Sequence, residues 1–127
     1  MRAHSLLAAA GLALCAAASP ATGQDHASVS NEDVSACVAI ANGYRLYAYQ
    51  MEEEGGLDAE EAELDRLARG VLSRANGELT RRQRAGGFEQ FEAVKAAVDR
   101  RADAARDDWD AVTREINACA RLFGVGT

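Results

Sequence analysis

From Ser30 onward the apolar residues recur every three or four positions, which is the period of an amphipathic α-helix and not the alternation of a strand. Val34, Cys37, Ala41, Tyr44, Ala48 and Met51 form one stripe, and Leu64, Leu67, Ala68, Val71, Leu72 and Ala75 form a second. A third runs through Phe91, Val94, Val98, Ala102, Ala105, Trp109, Val112, Ile116, Cys119 and Phe123 in unbroken register. Local chemistry punctuates these stripes. Ser30 and Asp33 read as a capping signal, with Glu32 and Asp33 placed where a helix N-terminus favours negative charge, and Gly55-Gly56 stops that helix. Asp58 and Glu61 repeat the cap, and Asn76-Gly77 suits a left-handed stop for the second helix. Thr80 and Gln83 can cap one short further turn before Gly86-Gly87, and Gly124 is the expected final stop.

The segment ahead of the first stripe reads as an address. Arg2, the apolar run Leu6 to Ala18 and the small residues Ala21 and Gly23 have the three-part layout of a secretory signal peptide cut before Gln24, with a cut after Ala18 as the rival. The run is too short to span a bilayer. A lipoprotein reading would keep Cys15 as an acylated first residue, but Leu14 stands where a small residue is normal. The expected organisation is a signal peptide over residues 1–23, a flexible leader over 24–30 and a helical bundle domain over 31–124.

Export changes the meaning of the cysteines. Cys37 and Cys119 remain in the expected mature chain, an even count for an oxidising compartment, and they allow one intramolecular pairing. A Cys37–Cys119 bridge also tests the helix count. Cys37 lies near the start of the first helix and Cys119 near the end of the last, so an antiparallel bundle brings them together only for an even number of helices. A single last helix over residues 88–123 would be roughly 54 Å long and would leave them apart. A break in the charged stretch Asp99 to Asp110, with Asp107 or Asp108 as a cap, gives four helices of similar length. The expectation is therefore an all-α, up-and-down bundle of four helices with one disulfide; three helices with a long last one are the rival.

The chain has 127 residues, 48 % of them apolar, with 14 Lys and Arg against 20 Asp and Glu. That suits one globular domain and no more. Loss of Arg2 with the signal peptide takes the formal net charge from −6 to −7, a sign that disfavours nucleic acid as a partner. No later apolar run reaches spanning length, so no membrane span is expected in the mature form. His26 is the one histidine of the expected mature chain, which leaves no HExxH, ExxH or CxxCH arrangement for a metal or haem, and no cofactor is expected. No GxSxG or comparable nucleophile motif is present.

Two charge clusters remain. Glu52, Glu53, Glu54, Asp58, Glu60, Glu61 and Glu63 surround Gly55-Gly56, and the first three oppose the helix macrodipole, a placement that either marks a site for a cation or basic partner or is a solvated turn. Arg74, Arg81, Arg82 and Arg84 gather at the next connection, where they either meet an anionic group or reflect a preference for arginine in a chain with one lysine. In a bundle the two clusters occupy opposite ends. Tyr44 and Tyr47 read as core and rim; Leu46 and Tyr49 are either exposed or covered by a third or fourth helix; Trp109, on the longest stripe, reads as core.

The tail carrying Trp109, Arg114 and Cys119 resembles the end of the small secreted helical proteins of the LprI-type lysozyme-inhibitor family. The spacing is longer here and that family's further cysteines are missing, so the resemblance implies neither the inhibitor activity nor a site. With no catalytic or ligating set in view, the expected role is an interaction or binding module of the bacterial periplasm or cell envelope, with an envelope or protein partner. A carrier of a small apolar ligand between helices, or an enzyme working through carboxylates in a cleft, are the alternatives.

Overall fold

The computed structural model describes residues 26–126 and forms four α-helices, with no strand among the described residues. They are α1 (Asn31–Glu54), α2 (Ala59–Arg84), α3 (Phe88–Ala105) and α4 (Trp109–Phe123), preceded by a 3-10 turn over His26–Ser28. The expected signal peptide lies outside the described residues. Cys37 and Cys119 are bonded, Cα to Cα 5.7 Å, which the even helix count allows.

The boundaries follow from capping. Ser30 Oγ accepts from the Asp33 N–H to open α1, and Asp58 and Glu61 form a reciprocal capping box at α2. Asp108 accepts from the Ala111 N–H, which breaks the long third stripe into α3 and α4 although its register never lapses. At the far end of α4, Gly124 takes φ 68 while the Gly124 and Val125 N–H groups return to Arg121 and Ala120, a Schellman stop.

Two expectations fail. Asn76-Gly77 does not end α2, and Thr80 and Gln83 open no separate turn, because the helix continues to Arg84. Ala75 is fully buried and Glu78 nearly so, so the stripe still has something to bury beyond the glycine. That burial and the ion pairs around Glu78 outweigh a glycine's cost of about 1 kcal/mol in a helix interior. Residues 26–30, expected as part of a flexible leader, are docked instead. Val29 is buried beside Val34 in one apolar cluster, at the N′ and N4 positions of a hydrophobic staple, and the His26 ring stands edge-on to Phe123 at 4.9 Å.

Helix α1 is the hub, packing against α2, α3 and α4, while α4 lies mainly on α2 and only thinly on α3. The core is built from Val34, Cys37, Val71, Ile116, Cys119 and Phe123, all with almost no exposure. Helix α3 buries only Val98 and Ala105, and much of its attachment is polar. Arg101 reaches Asp33 at 2.7 Å, Glu115 at 3.0 Å and Glu32 at 3.3 Å, tying α3 to both α1 and α4. Sequence spacing does not reveal that junction, since its members lie far apart in the chain.

Candidate groove at the acidic end

Up-and-down order puts the α1–α2 and α3–α4 turns at one end of the bundle, and the α2–α3 turn with both termini of the domain at the other. Because α3 and α4 meet only thinly, a groove of about 630 Å³ opens near the first end, between α1 and the α3–α4 turn. Its α1 wall is Ala39, Ile40, Gly43, Tyr44, Leu46 and Tyr47; the opposite wall is Ala102, Ala105, Trp109 and Val112, with Arg106, Asp107 and Asp108 along the rim. The volume falls within the range of roughly 300 to 1,000 Å³ typical of ligand sites.

The walls are aromatic and held in place. Tyr44 donates to the Glu61 carbonyl oxygen at 2.8 Å and Tyr47 donates to the Glu61 carboxylate at 2.7 Å, fixing both rings against the start of α2. The ring centroids are 5.6 Å apart for Tyr44 and Tyr47 and 6.2 Å for Tyr44 and Trp109. Burial and the Glu61 carboxylate push the Tyr44 hydroxyl above its ordinary range, and the hydrogen bond to Glu61 does the same for Tyr47, so both stay neutral donors. A second, smaller hollow lies on the far side of Trp109, against Glu60, Leu64, Leu67 and Thr113, and Thr113 Oγ1 is buried there without a hydrogen-bond partner.

Trp109 is therefore not core. It is 39 % exposed and forms a partition between the two hollows, because it occupies the first turn of α4, where the long stripe emerges at the end of the bundle. Leu46 and Tyr49 are 64 % and 61 % exposed and no helix covers them. Asp107 is the one non-glycine among the described residues with positive φ, at 61°, in the turn that forms the groove's rim. Aspartate tolerates that conformation better than most residues do, and held outliers of this kind gather at functional sites.

The acidic cluster sits as expected at the α1–α2 turn, and the α3–α4 turn adds Asp103, Asp107, Asp108 and Asp110 at the same end. Much of it is committed or dispersed. Asp58 and Glu61 make the capping box, Glu54 accepts from Gln50, and Glu63 is bound by Arg66, which lowers its carboxyl below the usual range. Glu52, Glu53 and Glu60 are exposed. Among the described residues no cluster of three or more His, Cys, Asp or Glu converges on a point where a metal ion could sit.

The arginine cluster is different from an open basic patch, and three of its four members are structural. Arg82, with a side chain only 14 % exposed, donates to Glu78 at 2.6 Å, to Asn31 Oδ1 at 2.8 Å and to the His26 carbonyl at 2.9 Å. Arg81 holds the same Glu78 carboxylate, and these bonds keep Glu78 below the usual carboxylate range despite its burial. Arg74 donates to the Phe123 and Gly124 carbonyls, both at 2.8 Å, closing the C-terminus of α4 with a cation. Of the four, Arg84 is the one that is exposed with no partner among the described residues. The expected place of the cluster is the connection after the second helix, but α2 runs on to Arg84, so all four arginines lie on α2 and Arg82 is bound to α1 and the docked 3-10 turn.

Sequence reading also missed the Arg45–Asp65–Arg69 set, in which buried Asp65 accepts from Arg45 at 2.7 Å and Arg69 at 2.9 Å. The signal was present as an acid next to Leu64 and three residues ahead of Ala68, members of the second apolar stripe. No helix among the described residues is long and apolar enough to cross a membrane. No protein-family model matches the chain, and no match is found among curated proteins or solved structures.

Proposed function

We propose that this is an exported interaction module of the cell envelope, and that its binding face is the groove between α1 and the α3–α4 turn. The observation that carries the reading is the groove itself, whose aromatic walls Tyr44, Tyr47 and Trp109 are held by hydrogen bonds and packing while Leu46 beside them stays uncovered. Exposed aromatic and apolar residues around a concavity are the usual composition of a binding hot spot. The disulfide supports export, since such bonds persist in oxidising compartments. The arginine end is a weaker candidate, because Arg74, Arg81 and Arg82 are committed to partners within the fold and only Arg84 of the cluster is left to meet a ligand.

Gly43 provides the test. A Cβ built there meets nothing within 4 Å, so Gly43→Leu fits the helix and projects a side chain into the groove. Replacing an exposed helical glycine also favours helix by several tenths of a kcal/mol or more, so loss of folding does not confuse the result. In producing cells, a photo-crosslinking residue at position 46 is expected to yield a discrete adduct that Gly43→Leu abolishes, while the same residue at position 73, exposed on α2, yields none. An adduct from position 46 that survives Gly43→Leu, or none at all, overturns the reading. Export is checked by N-terminal sequencing, expected to begin at Gln24; a product retaining Met1 contradicts it.

A further inference from the structure

Resting on the groove reading above, we infer that the occupant is a protein partner's short amphipathic helix carrying lysine or arginine beside its apolar face.

Shape argues for a helix. Along the groove α1 presents Ala39 and Gly43, and the bare backbone at Gly43 lets a second helix approach closely where larger side chains would hold it off. From Ala39 to Tyr47 the wall is roughly 12 Å long at 1.5 Å per residue, which accommodates about two helical turns and anchors at i, i+4 and i+7. Leu46 and Trp109 offer apolar area on either side, exposed in the free protein and able to close over those anchors.

Charge argues for a basic helix. Asp107 is exposed, takes part in no ion pair among the described residues, and is presented at the rim by its left-handed backbone. Arg106, the one cation of the rim, is already paired with Asp103 at 2.9 Å. The acidic α1–α2 turn lies at the same end, so the field outside the groove is negative and draws a cationic segment to it. Trp109 and Tyr47 add ring faces over which an ammonium or guanidinium can rest. An acidic segment would meet repulsion there, and a purely apolar one would leave the rim carboxylates unanswered.

The test uses fluorescent three-turn peptides with leucine anchors at helical spacing and lysine elsewhere, compared with versions carrying glutamine or glutamate in place of lysine. Full-length exported protein with its disulfide intact is titrated by anisotropy. The lysine peptide is expected to bind, to weaken with added salt and to be lost in Gly43→Leu. The double variant Asp107→Asn, Asp108→Asn is expected to weaken it roughly threefold to tenfold, since asparagine keeps both the left-handed turn and the α4 cap while removing two charges. Removing two charges at the opposite end, by Glu89→Gln with Glu92→Gln, is expected to change binding less than twofold. Equal binding of lysine and glutamine peptides that Gly43→Leu still abolishes overturns the cationic occupant and leaves the groove standing. Lysine-peptide binding indifferent to Gly43→Leu overturns both. If no peptide binds, the helical occupant is wrong, and a small apolar molecule retained in native mass spectrometry of the wild type but absent from Gly43→Leu would identify the groove as a carrier site.

Discussion

Replacing Arg82 by alanine removes three hydrogen bonds at once: to Glu78, to Asn31 and to the His26 carbonyl. Each joins a different piece of the fold, namely the last turns of α2, the start of α1 and the 3-10 turn ahead of it. A hydrogen bond to a charged group contributes about 1.5 to 3 kcal/mol, but three bonds from one guanidinium share its desolvation and do not add. Arg81 still holds Glu78 after the change, so that carboxylate is not left alone. The expected loss is therefore about 2 to 4 kcal/mol, against roughly 5 to 15 for a whole domain. At about 4 to 8 °C per kcal/mol for a domain near 100 residues, the melting midpoint falls by about 8 to 32 °C. Arg84→Ala, three bonds poorer in the wild type, should stay within about 0.5 kcal/mol. Thermal and urea unfolding of both variants, disulfide intact, makes the comparison. If Arg82→Ala melts with the wild type, or Arg84→Ala falls as far, the assignment of the arginine cluster to the architecture is wrong.

Three further outcomes follow from the same reasoning. Arg101→Ala should free α3 first, raising amide exchange over residues 88–105 while the disulfide-linked helices stay protected; uniform loss across all four helices contradicts the polar attachment of α3. Replacing Cys37 and Cys119 together by alanine should cost about 4 to 5 kcal/mol on the chain-entropy model for a bridge spanning 82 positions, and a measured loss under about 1 kcal/mol would falsify that estimate. Glu78, held below the ordinary carboxylate value of 4.5 by Arg81 and Arg82, stabilises the fold fully above that pH and progressively less as pH falls through its lowered value. The stability gap between wild type and Glu78→Gln should narrow between pH 7 and pH 3, and a constant gap refutes the linkage.

Caps and parity carried the fold. Ser30, Asp58, Asp108 and Gly124 all mark the boundaries that their chemistry implies, and the cysteine pair chose four helices over three where periodicity alone favoured one unbroken helix over residues 88–123. The misplaced boundary at Asn76-Gly77 shows the limit of local signals, since part of what holds the helix beyond it lies across the bundle: Leu79 packs on the core and Arg82 reaches Asn31 and His26. Arginine type and clustering said nothing of commitment: Arg82 and Arg74 look like surface until their partners 51, 56, 49 and 50 residues away are brought in. The groove was the least legible feature. It depends on α3 and α4 meeting only thinly, and the stripe that announced Trp109 as core does not record that the chain turns there, at the mouth of the bundle.

The most direct measurement is an amide chemical-shift titration of the folded protein with the lysine-bearing helical peptide. Perturbations confined to residues 39–47 and 102–112, with the Trp109 indole among the largest, are the expected result. Perturbations centred on Arg84 and the α2–α3 turn, or spread evenly over the acidic surface with Gly43 and Trp109 unmoved, contradict a binding face in the groove.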